Sequence, residues 1–136
     1  MSPKGLLQVE VVSADRLVWE GTAEMLIART TEGDIGILPG HEPLMSGLVA
    51  CAVEVITGEG NREVIAVDGG FLSVSADRVS ILSQFASLSS ELTAEDVDVE
   101  LAKVEALVNE GSVDEDTMRR YHLAQAQQKV VRKLAE

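Results

Sequence analysis

The segment Gly33-Asp34-Ile35-Gly36-Ile37-Leu38-Pro39-Gly40-His41-Glu42-Pro43-Leu44 contains a short apolar run bracketed by three glycines and two prolines. Pro39-Gly40 is a turn signal, because proline fixes φ and glycine tolerates values that other residues avoid. So many conformationally special residues beside a buried strand mean that the backbone must hold one shape there. We interpret the segment as a demanding turn or as a contact with a partner.

Length and composition limit the classes of protein that this sequence can encode. The chain has 136 residues, enough for one domain or for a small domain with an appendage. Hydrophobic residues make up 46% of it but aromatic residues only 3%, so the core must consist of Val, Ile and Leu, which favours strands. The net charge of -12 argues against a nucleic-acid partner and against an anionic membrane surface.

The sequence also indicates a soluble, intracellular protein. Its apolar runs are far shorter than the roughly 20 residues that span a bilayer. Residues 1–5 lack the apolar region of a secretory signal. The single cysteine, Cys51, excludes an internal disulfide and fits a reducing compartment.

The first part of the chain, up to about Gln84, carries short apolar runs at a spacing of roughly 8–12 residues, which is typical of an all-β sandwich or barrel. Leu7, Val9 and Val11 alternate with polar residues, as in a strand with one buried face. Further runs follow at residues 17–19, 25–28, 35–38, 50–56, 64–67, 71–74 and 79–82. Turn-forming residues separate them at 13–15, 20–21, 31–33, 58–61, 68–70 and 76–77.

After Phe85 the apolar period changes from that of strands to that of helices. Thr93 and Asp96 fit a capping box, and Gly111 is a natural helix end. The first predicted helix has an apolar stripe at Val97, Leu101, Val104 and Val108. The second begins near Ser112 or Asp114, with a stripe at Leu123, Gln127, Val130 and Leu134 and with Ala126 beside it. The short linker favours an antiparallel helical hairpin.

The predicted hairpin divides its charges between its two helices. Residues 91–116 hold ten acidic side chains and one basic one, whereas residues 117–136 hold five basic and one acidic. One interpretation is that the helices attract each other and complement the helix dipoles. The other is that the basic helix can leave its partner and dock on a different acidic surface. The sequence favours the first, and the two are compatible because exposed ion pairs are weak.

The usual signatures of catalysis are missing from the sequence. Its two histidines, His41 and His122, lie in no metal-binding motif, and Cys51 in an apolar strand is more often a core residue than a nucleophile. His41 could be a ligand, a base or a turn residue, and a turn or interface role fits best because no nucleophile is near. We predict no catalytic residue, no cofactor and no metal site.

Two motifs resemble one known family. They are Ile35-Gly36-Ile37-Leu38-Pro39-Gly40-His41 with Pro43-Leu44, and Asp68-Gly69-Gly70-Phe71-Leu72-Ser73-Val74 followed by Asp77-Arg78-Val79. In order and spacing they are similar to the ε subunit of bacterial F-type ATP synthase, and the resemblance covers nearly the whole chain. It implies an N-terminal ten-stranded β-sandwich followed by a C-terminal antiparallel two-helix hairpin. The implied divisions are a sandwich at residues 1–86, a hinge at 87–92 and a hairpin at 93–136.

The resemblance also implies a function without catalysis. The family supplies a non-catalytic subunit of the central stalk, whose sandwich binds the γ subunit and rests on the ring of membrane c subunits. It helps to couple proton-driven rotation to ATP synthesis. In many members the hairpin extends to the α and β subunits and inhibits ATP hydrolysis. The implied location is the cytoplasmic face of the bacterial cell membrane, peripheral, with no membrane insertion and no nucleic acid.

Residues of two surfaces are implied by the same resemblance. The interface with the c-ring and γ falls on the loop from Asp34 to Glu42, at Asp34, Pro39, Gly40, His41 and Glu42. The contacts of the tail with the catalytic subunits fall on the basic residues of the second helix, Arg119, Arg120, Lys129, Arg132 and Lys133.

One departure from the family concerns nucleotide binding. Some members bind ATP through an Ile/Leu-Asp-x-x-Arg-Ala motif at the start of the first helix. Here the stretch from Val97 to Ala102 keeps Asp98 and Ala102, but Leu101 replaces the arginine. The replacement removes a charge and paired hydrogen-bond donors. We predict weak or no ATP binding.

Two other classes of function remain open at this point. A small-molecule binding module with a helical lid would need a concave apolar pocket with converging polar groups. An unrecognised enzyme would have to rest on His41 and Glu42, whose adjacency alone is poor evidence. Capture of γ by the chain separates the stalk subunit from both.

Overall fold

The computed structural model describes residues 5–57, 61–111 and 114–135. Within them, seven strands precede two helices. The strands are β1 (Leu7–Val12), β2 (Leu17–Thr30), β3 (Gly33–Ile37), β4 (Leu44–Thr57), β5 (Arg62–Ser75), β6 (Arg78–Leu82) and β7 (Ala86–Leu88). The helices are α1 (Ala94–Asn109) and α2 (Glu115–Ala135), with a short 3-10 helix at Ser89–Glu91 before them.

Five of the strands close into a barrel. They are hydrogen-bonded in the order β1-β6-β5-β4-β2, and β2 pairs with β1 again. The β1–β6 pair is parallel, whereas the other pairs are antiparallel. β3 extends the sheet beside β2, and β7 pairs with part of β5.

The barrel interior is an aliphatic core. The predicted alternation in β1 is confirmed, because Leu7, Val9 and Val11 are at most 3% exposed while Gln8 lies in solvent. The largest fully buried side chains are Leu7, Leu26, Ile37, Ile65, Leu72 and Ile81. These residues are the branched aliphatics that the low aromatic content predicted.

The prediction of ten strands is wrong as a count. The described residues form seven, because β2, β4 and β5 each run for 14 residues where shorter strands were predicted. The predicted turn at Glu20-Gly21 lies inside β2, where Gly21 stays in register with Val9. The predicted turn at 68–70 lies inside β5. The predicted turn at 58–61 falls mostly on residues 58–60, outside the described residues.

β5 continues past its two glycines by bending. Gly69 and Gly70 have φ of +75° and +116°, a region that other residues rarely adopt. The pairing with β4 is interrupted there, between Ala50↔Asp68 and Leu48↔Gly70. A methyl group at Gly70 would overlap the carbonyl oxygen of Leu82 on β6. The bend therefore needs glycine both for its dihedral angles and for its close approach to the next strand.

The first helix begins and ends as its sequence predicted. The Thr93 hydroxyl accepts a hydrogen bond from the amide of Asp96, and Gly111 follows the helix with φ of +95°. Val97, Leu101 and Val104 of the predicted stripe are buried. Val108 is only half-buried.

The second helix buries part of the predicted stripe and two further residues. Val130 and the adjacent Ala126 are buried as predicted, whereas Leu123 and Gln127 are half-buried. Thr117 and Ala124, which were not predicted, are also buried. The prediction assumed one stripe against one partner, but α2 packs both on α1 and on the sheet formed by β4 and β5. Small side chains allow that double contact. The side chain of Leu134 and the predicted start at Ser112 lie outside the described residues.

The segment predicted as a hinge, residues 87–92, has defined contacts in the structure. Leu88 ends β7, which pairs with β5, and Glu91 ends the 3-10 helix. The Glu91 carboxylate accepts hydrogen bonds from Arg16 Nη2 and from the amide of Leu88, each at 2.8 Å. The guanidinium lowers the pKa of Glu91 below its usual range. The segment is thus attached to the β domain at two points. Leu88 pairs with β5, and Glu91 bonds Arg16.

Candidate functional site

The 33–44 segment forms strand β3 and the loop that leads into β4. Asp34 lies on β3 opposite Arg29 and pairs with it, Nε to Oδ1, at 2.8 Å. Both side chains are more than half exposed. The hydrogen bond and charge of Asp34 raise the pKa of Arg29. Asp34 is therefore a solvent-facing acid that carries its own counter-cation.

The loop at residues 38–43 is held by hydrogen bonds from its own backbone. Gly40, with φ of +87°, donates its amide to Oδ1 of Asp77 at 2.7 Å. The amide of His41 donates to the carbonyl oxygen of Leu38 at 3.1 Å. The ring of His41 donates from Nδ1 to the carbonyl oxygen of Glu42 at 2.7 Å. These bonds fix the loop shape that the glycines and prolines predicted. The bonds from the amide and the ring of His41 are local to the turn, in agreement with a turn role for this residue.

The loop exposes apolar as well as polar groups. Leu38 is 54% exposed, and Gly40, Glu42 and Pro43 also face solvent. Pro39 and His41 are half-buried. The structure therefore brings the predicted interface residues Pro39, Gly40, His41 and Glu42 together in one rigid loop, and places Asp34 five residues before it on β3.

A second surface, which the sequence did not predict, crosses four strands of the barrel. The strand register aligns Leu17, Val12, Leu82 and Phe71 side by side on β2, β1, β6 and β5. We call these four residues the apolar row. Phe71, Leu82 and Leu17 are 60%, 53% and 49% exposed. Exposed large apolar side chains in a contiguous set mark a contact surface.

Apart from Met45, the neighbouring positions on this face are small or polar. The next row in the same register contains Met45, Ser73, Ser80, Glu10 and Glu20. Met45 is 75% exposed and extends the apolar surface beside Phe71. Phe71 lies in one of the two motifs that resemble the family, so the sequence could have marked this residue. Its alignment with Leu17 and Leu82 depends on pairings between distant parts of the chain.

The hairpin covers a different part of the barrel surface. Val64 and Ala66 of β5 and Val130 of α2 are buried together, with Ala52 and Leu92 packed beside them. Ala126 on α2 is also buried and lies near Val49 and Ala50 of β4. Because alanine buries only a methyl group, each such contact contributes less than the roughly 1.5–3 kcal/mol of a buried valine or leucine. The contact between hairpin and sheet is accordingly shallow.

Two of the predicted tail residues are engaged in ion pairs. Arg120 bonds Glu100 on α1 at 2.8 Å, and Arg119 lies 4.0 Å from Asp68 on β5. The Asp68 side chain is only 9% exposed, and this burial raises the pKa of Asp68. Arg119 and His122 lower that pKa, but by less than burial raises it. Lys129 and Arg132 are exposed, and the side chain of Lys133 lies outside the described residues. The Arg120–Glu100 pair agrees with the interpretation that the helices attract each other.

An open cleft of about 640 Å³ separates part of α2 from the sheet. Five ionisable side chains line it, Asp68, Glu115, Arg119, His122 and Lys129, among smaller apolar ones. Both acidic and basic groups line the cleft. It therefore offers no uniform charge for an ionic ligand.

The degenerate nucleotide motif lies on α1. Asp98 and Ala102 are exposed, whereas Leu101 is 7% exposed and packs inside the hairpin. The position that carries arginine in the motif is thus an apolar contact in this chain. In the described part of the chain no three histidine, cysteine or acidic side chains are placed to hold a metal ion. No helix in that part is long and apolar enough to span a membrane.

Comparison with known proteins agrees with the resemblance found in the sequence. Residues 6–89 match the family model described as ATP synthase, Delta/Epsilon chain, beta-sandwich domain. The ATP synthase epsilon chain of Cutibacterium acnes is 47% identical over 129 residues, which cover 89% of this chain and 88% of that one. The ATP synthase epsilon chain of Rhodococcus jostii is 50% identical over 98 residues, 71% of this chain and 76% of that one.

A solved structure has the same overall fold. It is a chain in the cryo-electron microscopy structure of the Euglena gracilis mitochondrial ATP synthase, OSCP/F1/c-ring. The TM-score is 0.75 at 22% sequence identity, over 97% of this chain and 82% of that one. The match extends over both the β domain and the helical hairpin.

Proposed function

Since this chain belongs to the family of ATP synthase delta/epsilon chains, we propose that it is a non-catalytic subunit of the central stalk of an F-type ATP synthase. It helps to couple proton-driven rotation to ATP synthesis, as a peripheral component at the cytoplasmic face of the bacterial membrane. The observation that carries the proposal is the family match over residues 6–89, the same residues that present the apolar row and the 38–43 loop.

The apolar row is the surface that we assign to the γ subunit. Phe71, Leu82 and Leu17 are each about half exposed or more, and each contributes roughly 1.5–3 kcal/mol when a partner buries it fully. A stalk subunit must hold its shaft through every rotation, which requires an apolar contact of this kind. The hairpin packs on Val64 and Ala66 and leaves the row open.

The segment from Asp34 to Glu42 is the surface that we assign to the c-ring. Its supporting feature is rigidity, since the Gly40–Asp77 and His41–Glu42 hydrogen bonds fix its shape. A loop that transmits torque must not yield under load. Within it, Glu42 faces solvent, while the charge of Asp34 is partly balanced by Arg29.

The hairpin is the part that we assign to inhibition of ATP hydrolysis. Its shallow contact with the sheet makes release inexpensive. Release from the sheet would free Arg119 from Asp68, and separation of the two helices would free Arg120 from Glu100. Both would then join Lys129, Arg132 and Lys133 on one basic helix. We propose that this helix docks on acidic segments of the α and β subunits.

Capture of the γ subunit tests the stalk proposal. The immobilised full chain should retain purified γ, and the double variant Phe71→Ser/Leu82→Ser should bind at least roughly tenfold more weakly, because two apolar anchors are lost. Val99→Ser is the matched control, since Val99 is 58% exposed but lies on α1. Failure of the unmodified chain to retain γ would overturn the proposed function. Equal binding by the double variant would overturn only the assignment of the row.

Hydrolysis by the assembled complex tests the role of the hairpin. A complex built with a chain that lacks residues 117–136 should hydrolyse ATP faster than the complete one, measured at low salt where charge pairs are strongest. Equal rates would show that the tail of this chain does not inhibit, and would leave the stalk assignment standing.

A further inference from the structure

Asp68 occupies a fixed position under α2. It is the last residue of β5 before the Gly69-Gly70 bend, and it lies on the same face as Val64 and Ala66. Its amide donates to the carbonyl oxygen of Phe85 at 3.0 Å and to Oγ of Ser83 at 3.2 Å. The backbone at Asp68 therefore has little freedom to move away from the helix.

With α2 docked, the Asp68 carboxylate is largely shielded from water. The side chain is 9% exposed, and it lines the cleft under α2 together with Glu115, Arg119, His122 and Lys129. Burying a charge is unfavourable unless a partner compensates it. Arg119 is the nearest cation, at 4.0 Å, and is itself 38% exposed and shared with Asp116 at 3.6 Å. His122 lies farther along the same cleft.

We propose that Asp68 and Arg119 control how firmly the hairpin docks on the β domain. Docking buries the carboxylate, and Arg119 must lie over it to offset the cost, so the pair fixes one position of α2 and keeps the docked state easy to leave. The use of the released state in an ATP synthase rests on the proposed function, but docking itself is a property of the isolated chain.

The proposal makes opposite predictions for the two partners. Arg119→Gln keeps the packing of a long side chain but leaves the buried carboxylate without its nearest cation, so docking weakens. Asp68→Asn has the same shape without the charge, so docking is retained or strengthened. The double variant buries no charge and should dock about as well as the unmodified chain. The reason is that removing one partner of a buried pair leaves the other uncompensated and is costly, whereas replacing both partners by neutral groups is nearly neutral.

Energy transfer between two dyes measures the docked fraction in solution. The dyes are placed on Thr22→Cys of β2 and Ala106→Cys of α1, both exposed positions, in a Cys51→Ser background. The energy transfer of each variant is measured at increasing urea concentration and low salt. Even a chain that is fully docked without urea then gives a urea midpoint for release of the hairpin. Arg120→Gln is the matched control, because Arg120 is the next residue on α2 and pairs with α1 instead of the sheet.

We expect Arg119→Gln to raise the ratio of released to docked chains roughly tenfold, because it leaves the buried carboxylate without its nearest cation. Arg120→Gln should change that ratio less than twofold, and Asp68→Asn/Arg119→Gln should restore it to within about twofold. The proposal is overturned if Asp68→Asn fails to rescue Arg119→Gln, if Arg120→Gln has the larger effect, or if no variant shifts the midpoint. Capture of γ is unaffected by these outcomes, so the two proposals fail separately.

Discussion

The two faces of strand β5 show two different kinds of packing. Ile65 and Val67 point into a core in which nineteen buried side chains meet, whereas Val64 and Ala66 point outward to a cluster in which, among the described residues, only Val130 joins them as a buried partner. The same strand thus belongs to a rigid body on one side and to a shallow contact on the other. The difference shows that one strand can take part in a large buried core and in a much smaller surface cluster at the same time.

The largest effect that we expect comes from breaking the bend that separates the two halves of β5. Gly70→Ala places a methyl group against the carbonyl oxygen of Leu82 and forces alanine to a φ of +116°. We expect a loss of at least about 3 kcal/mol in the free energy of unfolding, or failure to fold. The measurement is urea denaturation followed by circular dichroism.

Gly33→Ala is the matched control for that substitution. Gly33 has a similar φ of +122°, but nothing lies within 4 Å of the added methyl group. Gly33→Ala should lower the free energy of unfolding only by the dihedral strain, roughly 1–2 kcal/mol. Equal losses for the two variants would mean that the contact with Leu82 is unimportant.

The comparison of the two faces is sharpest between Val67→Ala and Val64→Ala. Both valines are fully buried, on the same strand, and facing opposite sides. Val67→Ala should lower the free energy of unfolding of the β domain by roughly 2 kcal/mol, the transfer term plus a cavity. Val64→Ala should mainly lower the urea midpoint of hairpin release. A global loss as large for Val64 as for Val67 would contradict the distinction.

A smaller effect should appear at the start of α2 in acid. The Asp114 carboxylate accepts hydrogen bonds from the amide and the hydroxyl of Thr117, both at 2.9 Å, and these bonds lower the pKa of Asp114. A lowered pKa means that the stabilisation is present above the usual value of 3.8 and is lost as pH falls through the lowered value. The Thr117 amide resonance should report that loss in a pH titration by nuclear magnetic resonance.

Asp114→Asn separates this titration from general acid effects. Asparagine is an equally good helix cap but does not ionise. The first turn of α2 should then persist through the pH range in which the unmodified chain loses it. If both chains lose that turn together, the cause is elsewhere.

The smallest expected effect is that of ATP. Leu101, at the arginine position of the nucleotide motif, is packed inside the hairpin, and Glu100 beside it is paired with Arg120. Titration calorimetry of the full chain with ATP should therefore detect weak binding or none. Micromolar affinity would contradict the prediction of weak or no ATP binding.

Features that depend on neighbouring residues could be predicted from the sequence. The alternation of Leu7, Val9 and Val11 gave the buried face of β1, and Thr93 and Gly111 marked the ends of α1. The fixed shape of the 38–43 loop followed from its glycines and prolines. Each of these is decided within a few residues of chain.

Features that depend on distant residues could not be predicted from the sequence. Glycine pairs such as Gly69-Gly70 are compatible with a turn or with a bend inside a strand, and the carbonyl of Leu82 on another strand decides between them. The apolar row required the register of four strands. The buried face of α2 also includes Thr117 and Ala124 because the helix meets two partners, which its own period does not reveal.

The long pairing of β4 with β5 has a mechanical consequence. Twelve residue pairs join them, from Leu44↔Val74 to Ile56↔Arg62, and the 38–43 loop leads directly into the first of these pairs. Hydrogen bonds between antiparallel strands lie across the strand axis, so a pull along β4 shears the whole ladder at once instead of unzipping it. Under such a pull the β domain should extend little, because the twelve pairs must give way together.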